Sequence, residues 1–469
     1  MPSDTRGIDF THGPLTEKLV RMAWPVVLSF FLQTLYNLVD AFWLGKLGKT
    51  ALVAPTITMN VFFIGLSLAM GLGMGGGTLV SQYKGAGRPV EMRRAGGQTL
   101  VLLVVAGVAL SLIGMALARP ILELLQTPAD AFGNTIDYMR WILIGIPFMF
   151  VFFVYQHLSS AVGDTVSPLK VNAVTVLLNV VMDPLLIFGW GPFPSMGVVG
   201  AALATVMAQF LAAVLCLERL FSGRKGIQIG RDDLRWNRHI AMRILRVGVP
   251  MSLGQAGTAL GFTLLIGIVN TFGSAVTAAF GIGHRIIHLA LAPAIGLSQS
   301  SATAVGQNLG ADQPQRAARA VRTSAIILGL VLLPITSGTF FFGDWVSRAF
   351  ISDPAVIRYG DELFRITSPS VFVFGFIMVL MGAFRGAGHT LPVMILNLGR
   401  LWIVRIPAAY LLAMTLALGP LGIWWAMFLS NTLTAIAGAI WFSMGTWKRK
   451  VIDDAPATPD GMKRPAKQA

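Results

Sequence analysis

The sequence predicts an all-α membrane protein: twelve transmembrane helices in two parallel repeats of six, related by a pseudo-two-fold axis along the membrane normal. Three observations predict it. The 469 residues are 55% hydrophobic and only 12% charged, with a mean hydropathy of +0.70, beyond what a water-soluble surface tolerates. Apolar runs recur from Trp24 to Trp447, each long enough to cross roughly 30 Å of hydrocarbon at about 1.5 Å per residue. Slid by 225 residues, the chain matches itself from its first span to its last.

Taken in order, the spans are 24–44, 52–81, 96–118, 137–160, 168–190, 196–218, 247–270, 276–305, 321–343, 363–385, 392–417 and 421–446. The runs are continuous and do not alternate, which argues against a β-barrel. Residues 1–23 hold Pro2, Gly7, His12, Gly13 and several charges, with no short apolar core leading to a small-residue cleavage site. The first span is therefore expected to be an uncleaved anchor. This divides the chain into an N-terminal segment (1–23), an N-lobe (24–218), a linker (219–246), a C-lobe (247–446) and a basic tail (447–469). The linker stretch GRKGIQIGRDDLRWNRHI, 223–240, is polar and basic and is expected to end in a surface helix before the seventh span.

A net charge of +15 suggests nucleic acid in a soluble protein, but its distribution argues otherwise. With the N-terminus in the cytoplasm, 26 of the 36 Lys and Arg fall in or beside segments on the cytoplasmic face and 7 on the other, with 3 inside spans. That is the positive-inside bias, and it places both termini in the cytoplasm of a multi-pass protein of the cell membrane. The single cysteine, Cys216, excludes an intramolecular disulfide. No GxxxxGK[ST] motif occurs, so ATP is not the expected energy source. GMGGGT (73–78) lies inside the second span, where glycines serve close helix packing.

The repeat is carried by more than small residues. At the 225-residue offset SQYKGA (81–86) meets GQNLGA (306–311), pairing Gln82 with Gln307 and Gly85 with Gly310. Pro25 meets Pro250, Arg94 meets Arg319, Thr165 meets Thr390 and Asn172 meets Asn397. Six spans per unit is an even number, so both units enter the membrane in the same direction. Two parallel six-helix lobes are the architecture of a secondary transporter that rocks about a central site.

Polar residues inside the spans mark that site. Gln33, Tyr36, Asn37 and Asp40 fall at i, i+3, i+4 and i+7 and share one face of the first helix. Asn172, Thr175, Asn179 and Asp183 form a second stripe in the fifth span, ending before Pro184, and Thr205 and Gln209 lie four apart in the sixth. A carboxylate at a helix centre costs about 2.5–3.5 kcal/mol on insertion scales, so such groups normally face a bundle interior or a water-filled cavity. The alternative is that each is protonated, or hydrated near the outer headgroups. The repeat supplies a control: Asp40 corresponds to Leu265 and Asp183 to Ala408, so the second lobe has neither acid. Confinement to one lobe points to site chemistry rather than scaffold. Two carboxylates close together in low dielectric do not both ionise readily, so the pair suits a proton relay. With the side-chain oxygens of Asn179 and Thr205 it equally suits a small hard cation such as Na⁺. In the second lobe the in-span charges are Arg285, Arg400 and Arg405, with His284 and His288 close by. The histidines share a face without a further ligand, so no metal site is expected there.

The run WPVVLSFFLQTLYNLVDAFWLGKLGKTALVAPT (24–56), SQYKGAGR after the second span, NVVMDP in the fifth and GVVGAALAT opening the sixth resemble the multidrug and toxic compound extrusion (MATE) family. The similarity covers nearly the whole chain. It implies two lobes around a V-shaped central cleft and export of cationic or amphipathic drugs in exchange for H⁺ or Na⁺, by a monomer among membrane lipids, without cofactor, enzymatic activity or nucleic-acid partner. By position, Asp40 resembles the essential first-span acid of that family, and Asn179, Asp183 and Thr205 its partners in an N-lobe cation site. Gln33, Tyr36, Asn37, Asn172, Gln209 and Arg285 are the candidate lining of the substrate cavity. The seventh span and the interior of the tenth hold no acid, so the chain resembles the branch that couples through the N-lobe alone. In that branch the first helix is proposed to bend at its proline. Pro25 is the candidate hinge, unless it forms only the first turn of its helix. A flippase for lipid-linked oligosaccharides, of the same duplicated fold, is the alternative that the in-span arginines keep open.

Overall fold

Hydropathy falls off before helical hydrogen bonding does, so the helices outrun the apolar runs that predict them. A computed structural model describes residues 7–191, 193–223 and 226–452; the first six residues of the N-terminal segment and the basic tail from 453 onward lie outside the described residues. The N-lobe consists of α1 (Leu15–Lys46), α2 (Val53–Gly85), α3 (Pro89–Leu124), α4 (Ala129–Ala161), α5 (Val166–Phe188) and α6 (Gly197–Ser222). The C-lobe opens with α7 (Arg238–Asn270), α8 (Ser274–Ala290), α9 (Ala292–Gly310) and α10 (Pro314–Phe341). It continues with the short α11 (Gly343–Arg348), then α12 (Pro354–Ala387), α13 (Thr390–Leu398), α14 (Ile406–Tyr410) and α15 (Pro420–Ser443). Among the described residues twelve stretches are long and apolar enough to cross a membrane, six in each half.

The starts are chemically marked. Proline stands in the first turn of α3, α10 and α12, where its missing N–H has no partner to lose. Asp353 caps α12 by accepting from the amides of Ala355 and Val356, and Asn237 caps α7 by accepting from His239 and Ile240. The surface helix expected at the end of the linker is thus the first turns of α7 itself. What remains of the linker holds one 3₁₀ turn, Arg231–Leu234. Gln98 of α3 fastens it, donating to the carbonyls of Asp233 and Arg235 at 3.1 and 2.7 Å and accepting from Asn237 N at 2.9 Å.

Two C-lobe spans depart from the regular helices of their N-lobe counterparts. The eighth breaks at Leu291 between α8 and α9, just before Pro293, which has no N–H to continue the ladder. The eleventh widens into π-helical turns over Gly399–Arg405 and Leu411–Thr415, on either side of α14. Its counterpart α5 is α-helical throughout.

The glycine run of α2 does the packing its composition suggests. A Cβ on Gly73 would meet the His157 ring of α4 at 2.4 Å, on Gly75 the Ile244 carbonyl of α7 at 2.7 Å, and on Gly76 the Thr99 hydroxyl of α3 at 2.0 Å. Three neighbours therefore approach one helix as closely as backbone permits.

The halves are joined by contacts that obey the repeat. Thr78 Oγ1 donates to Arg385 O at 2.9 Å, and Thr303 Oγ1 to Ser160 O at 3.1 Å. Gln82 Nε2 donates to Gly386 O at 3.1 Å, and Gln307 Nε2 to Ala161 O at 3.0 Å. Each bond maps onto its mate by 225 residues with the halves exchanged, as a two-fold axis requires. On the same axis, a Cβ on Gly85 would lie 1.8 Å from the Gln307 carbonyl, and one on Gly310 1.9 Å from that of Gln82. The chain ends seal the junction: Phe10 N donates to Gln307 Oε1 and Val451 N to Gln82 Oε1, both at 2.9 Å. This junction lies at the end of the helices that carries the linker. Toward the other end, Leu35, Leu38 and Phe42 of α1 and Leu260 and Leu264 of α7 are exposed.

Replacing Gln82 or Gln307 by Ala leaves two buried backbone groups unpaired and is expected to lower stability by about 1–3 kcal/mol in each case. Gly267→Ala, at a site with nothing within 4 Å, is expected to be neutral or slightly stabilising, by less than about 1 kcal/mol. Chemical or thermal unfolding of the purified protein checks both; a loss in one glutamine variant only would contradict the two-fold junction.

Candidate functional site

α1 carries its polar stripe toward α5 and α6. Gln33 and Asn37 are exposed and face each other, Gln33 Nε2 donating to Asn37 Oδ1 at 3.4 Å. One turn on, the Tyr36 hydroxyl and Thr205 Oγ1 of α6 lie 3.0 Å apart, either able to donate. Asp40 is half-buried, with Oδ1 sealed from solvent and without a donor. Facing them on α5, Asn179 and Asp183 are 1% and 0% exposed. One helical turn separates them, and Asn179 Nδ2 donates to Asp183 Oδ1 at 3.2 Å. Asn179 Oδ1 and Asp183 Oδ2 are buried without any donor. Pro184 then follows inside the helix, so the Val180 carbonyl also loses its usual N–H. Asp40 acts electrostatically on Asp183, and both act on Tyr36 and on Tyr138 of α4.

Five predicted residues thus converge between α1, α4, α5 and α6: Tyr36, Asp40, Asn179, Asp183 and Thr205. Asn172 lies toward the linker end of α5 and donates to Ser29 O at 3.5 Å, bracing α5 against α1. Gln209 sits a turn further along α6, with its Oε1 sealed and unpartnered where a Cβ on Gly145 would meet it at 2.2 Å. Arg285 is exposed on α8 of the other half and forms no hydrogen bond or ion pair among the described residues. Tyr138 is a member of the pocket that sequence reasoning missed. It is 7% exposed, but Asp137 and Arg140 beside it give its stretch the look of a membrane boundary.

Pro25 does not form the first turn of its helix. α1 begins at Leu15, so Pro25 is buried in the interior, where it deprives the Arg21 carbonyl of a donor. Four residues on, Ser29 Oγ donates to Pro25 O at 2.9 Å. The Asn172 bond to Ser29 O links this weakened turn to the helix that bears Asp183.

The MatE family model matches this chain twice, at residues 25–185 and 250–411, with starts set apart by the displacement that relates the junction's hydrogen bonds. The chain belongs to the MatE family. A probable multidrug resistance protein of Bacillus subtilis, YoeA, is 28% identical over 91% of this chain and 93% of its own length. A FAD transporter of Shewanella oneidensis is 26% identical over 85% of this chain and 89% of its own. Among solved structures, a MATE protein in the bent conformation superposes with a TM-score of 0.87 at 25% identity, covering 93% of this chain and 96% of its own. MatE proteins are membrane transporters, and the names of these relatives favour efflux of small molecules over the flippase alternative.

Because Tyr36 and Thr205 are each other's partners in this MatE pocket, Tyr36→Phe and Thr205→Val are expected to cost about 0.5–1.5 kcal/mol each, and together little more than either alone. Additive losses in a double-mutant cycle on thermal stability would show that the two hydroxyls do not pair.

Proposed function

We propose that the protein is a multidrug efflux antiporter that exchanges cationic or amphipathic compounds for H⁺ or Na⁺ through the N-lobe pocket. One observation carries this reading: Asp40 Oδ1, Asn179 Oδ1 and Asp183 Oδ2 are all sealed from solvent with no donor among the described residues. Buried acceptors are normally satisfied. Here a proton on either carboxylate, or a small cation among the three oxygens, supplies what the protein omits. No arginine or lysine pairs with either acid among the described residues, so the charge stays available to an exchangeable ion instead of being fixed in a salt bridge.

An ion shifts the equilibrium between two conformations only through its different affinity for each. The pocket has the means, because Asp40 rides on α1 and Asp183 on α5, and α1 contains the turn loosened by Pro25. Straightening or bending at Pro25 changes the distance between the acids, and the Tyr36–Thr205 and Asn172–Ser29 bonds report that motion to α6 and α5. Ion entry neutralises the pocket, draws the helices together and removes the space and negative charge that hold a cationic drug. The ion and the drug therefore compete. The positive-inside bias of the chain supports a cytoplasmic linker junction, and in that orientation the described conformation has its inner end closed. The protein acts in the cell membrane as a monomer, since each six-helix half finds its symmetry mate within the chain.

Asp40→Asn is expected to reduce export of ethidium from cells to the background of a vector control while leaving the protein folded and membrane-inserted, as judged by fluorescence-detected chromatography. Undiminished export would refute the coupling role. In proteoliposomes Asp183→Asn is expected to weaken the response to an imposed ion gradient more than equilibrium drug binding. A proton gradient without Na⁺, then the reverse, identifies the driving ion; transport indifferent to both gradients would exclude antiport.

A further inference from the structure

The C-lobe holds two arginines, Arg405 buried and Arg400 half-buried, for which the pocket just described has no use. Arg405 is 5% exposed; its Nε donates to Ser430 Oγ at 2.8 Å and its Nη2 to Asn431 Oδ1 at 2.6 Å. Arg400 Nη1 donates to the same Asn431 oxygen at 3.3 Å, so the two guanidinium groups lie within about 6 Å of each other. Asn431 is held in turn by its Nδ2, which donates to Ser370 Oγ at 3.2 Å. Arg400 also lies over the Phe374 ring, 4.2 Å from its centroid. Its Nε is sealed from solvent without an acceptor, while the residue as a whole keeps partial exposure.

Every acceptor in this cluster is neutral. Among the described residues no carboxylate pairs with either arginine. A buried and a half-buried cation sharing one amide oxygen lack the counter-charge that such groups normally find. The backbone is distorted to bring them together. In an α-helix residues five apart point about 140° away from each other, whereas a π turn, bonded i to i+5, returns them to nearly the same side. Gly399–Arg405 is such a turn, and Arg400 and Arg405 are its polar residues. Its place in the repeat is also telling. Ser430 is the counterpart of Thr205, and Arg405 that of Val180, next to Asn179. The basic cluster stands in the C-lobe where the acidic pocket stands in the N-lobe.

We propose that Arg400 and Arg405 form an anion subsite that receives an acidic group, carboxylate or phosphoryl, of the transported molecule. The arginines then serve as the fork for the acid, Asn431 and Ser430 hold the fork in place, and Phe374 offers an apolar wall. This deepens the export reading and rests on it: the cargo includes zwitterionic and anionic amphiphiles, whose cationic or apolar part is free to face the N-lobe.

The test is equilibrium binding to the purified full chain, read by fluorescence polarisation without any ion gradient, so that a failure of antiport leaves it intact. Two probes differ only at the acid: tetramethylrhodamine, with a free carboxylate, and its methyl ester. Arg400→Gln is expected to weaken the free-acid dye about tenfold or more while moving the ester by less than about twofold. Arg400→Lys, which keeps the charge without the fork, is expected to recover part of the difference and guards against a folding defect. Equal losses for both dyes, or no loss for either, would mean that the arginines brace the eleventh span and nothing more. Inorganic phosphate is the second arm. Displacement of the free-acid dye by phosphate in wild type but not in Arg400→Gln supports the subsite; stabilisation by phosphate with the two dyes bound alike would make the occupant a free anion and overturn the assignment to cargo.

Discussion

Gln82 and Gln307 each reach across the two-fold axis to a backbone carbonyl of the other half, and each accepts an amide from a chain end. The rest of the architecture hangs from this exchange. It needs backbones close enough to touch, which Gly85 and Gly310 permit because any side chain there would overlap the opposite glutamine's carbonyl. It also needs helices that arrive in the same direction, which an even number of spans per half guarantees. In hydrocarbon no hydrophobic force draws one helix to another, so close backbone approach and satisfied amides have to supply the association. The junction supplies both at the linker end and leaves the far end of the cleft to polar chemistry.

Upon that symmetric frame the two halves carry opposite functional groups. Asp40 and Asp183 correspond to Leu265 and Ala408 in the repeat, while Arg400 and Arg405 correspond to Thr175 and Val180. Thr205 and Ser430 keep a hydroxyl at equivalent positions, yet one meets a tyrosine and the other an arginine. The backbone follows the chemistry: α5 stays α-helical where an amide and an acid one turn apart suffice, and the eleventh span opens into π turns where two long cations have to converge. A duplicated fold can specialise in this way because the axis constrains only the residues that touch it.

Much of this was legible in the chain. Asp40 and Asp183 stood out because an acid inside an apolar run has few reasons to be there, and the Gln82–Gln307 and Thr165–Thr390 matches fixed the repeat. Thr165 and Thr390 indeed make equivalent bonds, to the Met22 and Val247 carbonyls at 2.9 and 2.7 Å. Other features left no trace in hydropathy. A π turn has the same composition as an α turn, so the widening of the eleventh span was hidden. The true start of α1 lay beyond its apolar run, among Lys18 and Arg21, and this concealed that Pro25 is interior. Tyr138 was masked by charged neighbours that belong to the end of its helix, whereas its own ring points inward.

The bonds that close the inner end also determine what the gate can sense. The four cross-axis bonds of Thr78, Gln82, Thr303 and Gln307 join amides, hydroxyls and carbonyls, none of which carries net charge. Carrying such groups through the membrane field performs no electrical work, and dissolved salt does not screen them as it screens ion pairs. These cross-axis pairs are electrically silent, but the cations beside them are not: Arg316 Nε donates to Phe10 O, Lys84 Nζ to Val162 O, and Lys450 pairs with Asp312. A dependence of turnover on voltage or ionic strength therefore enters at these cations of the inner end as well as through the charged side chains deeper in the lobes.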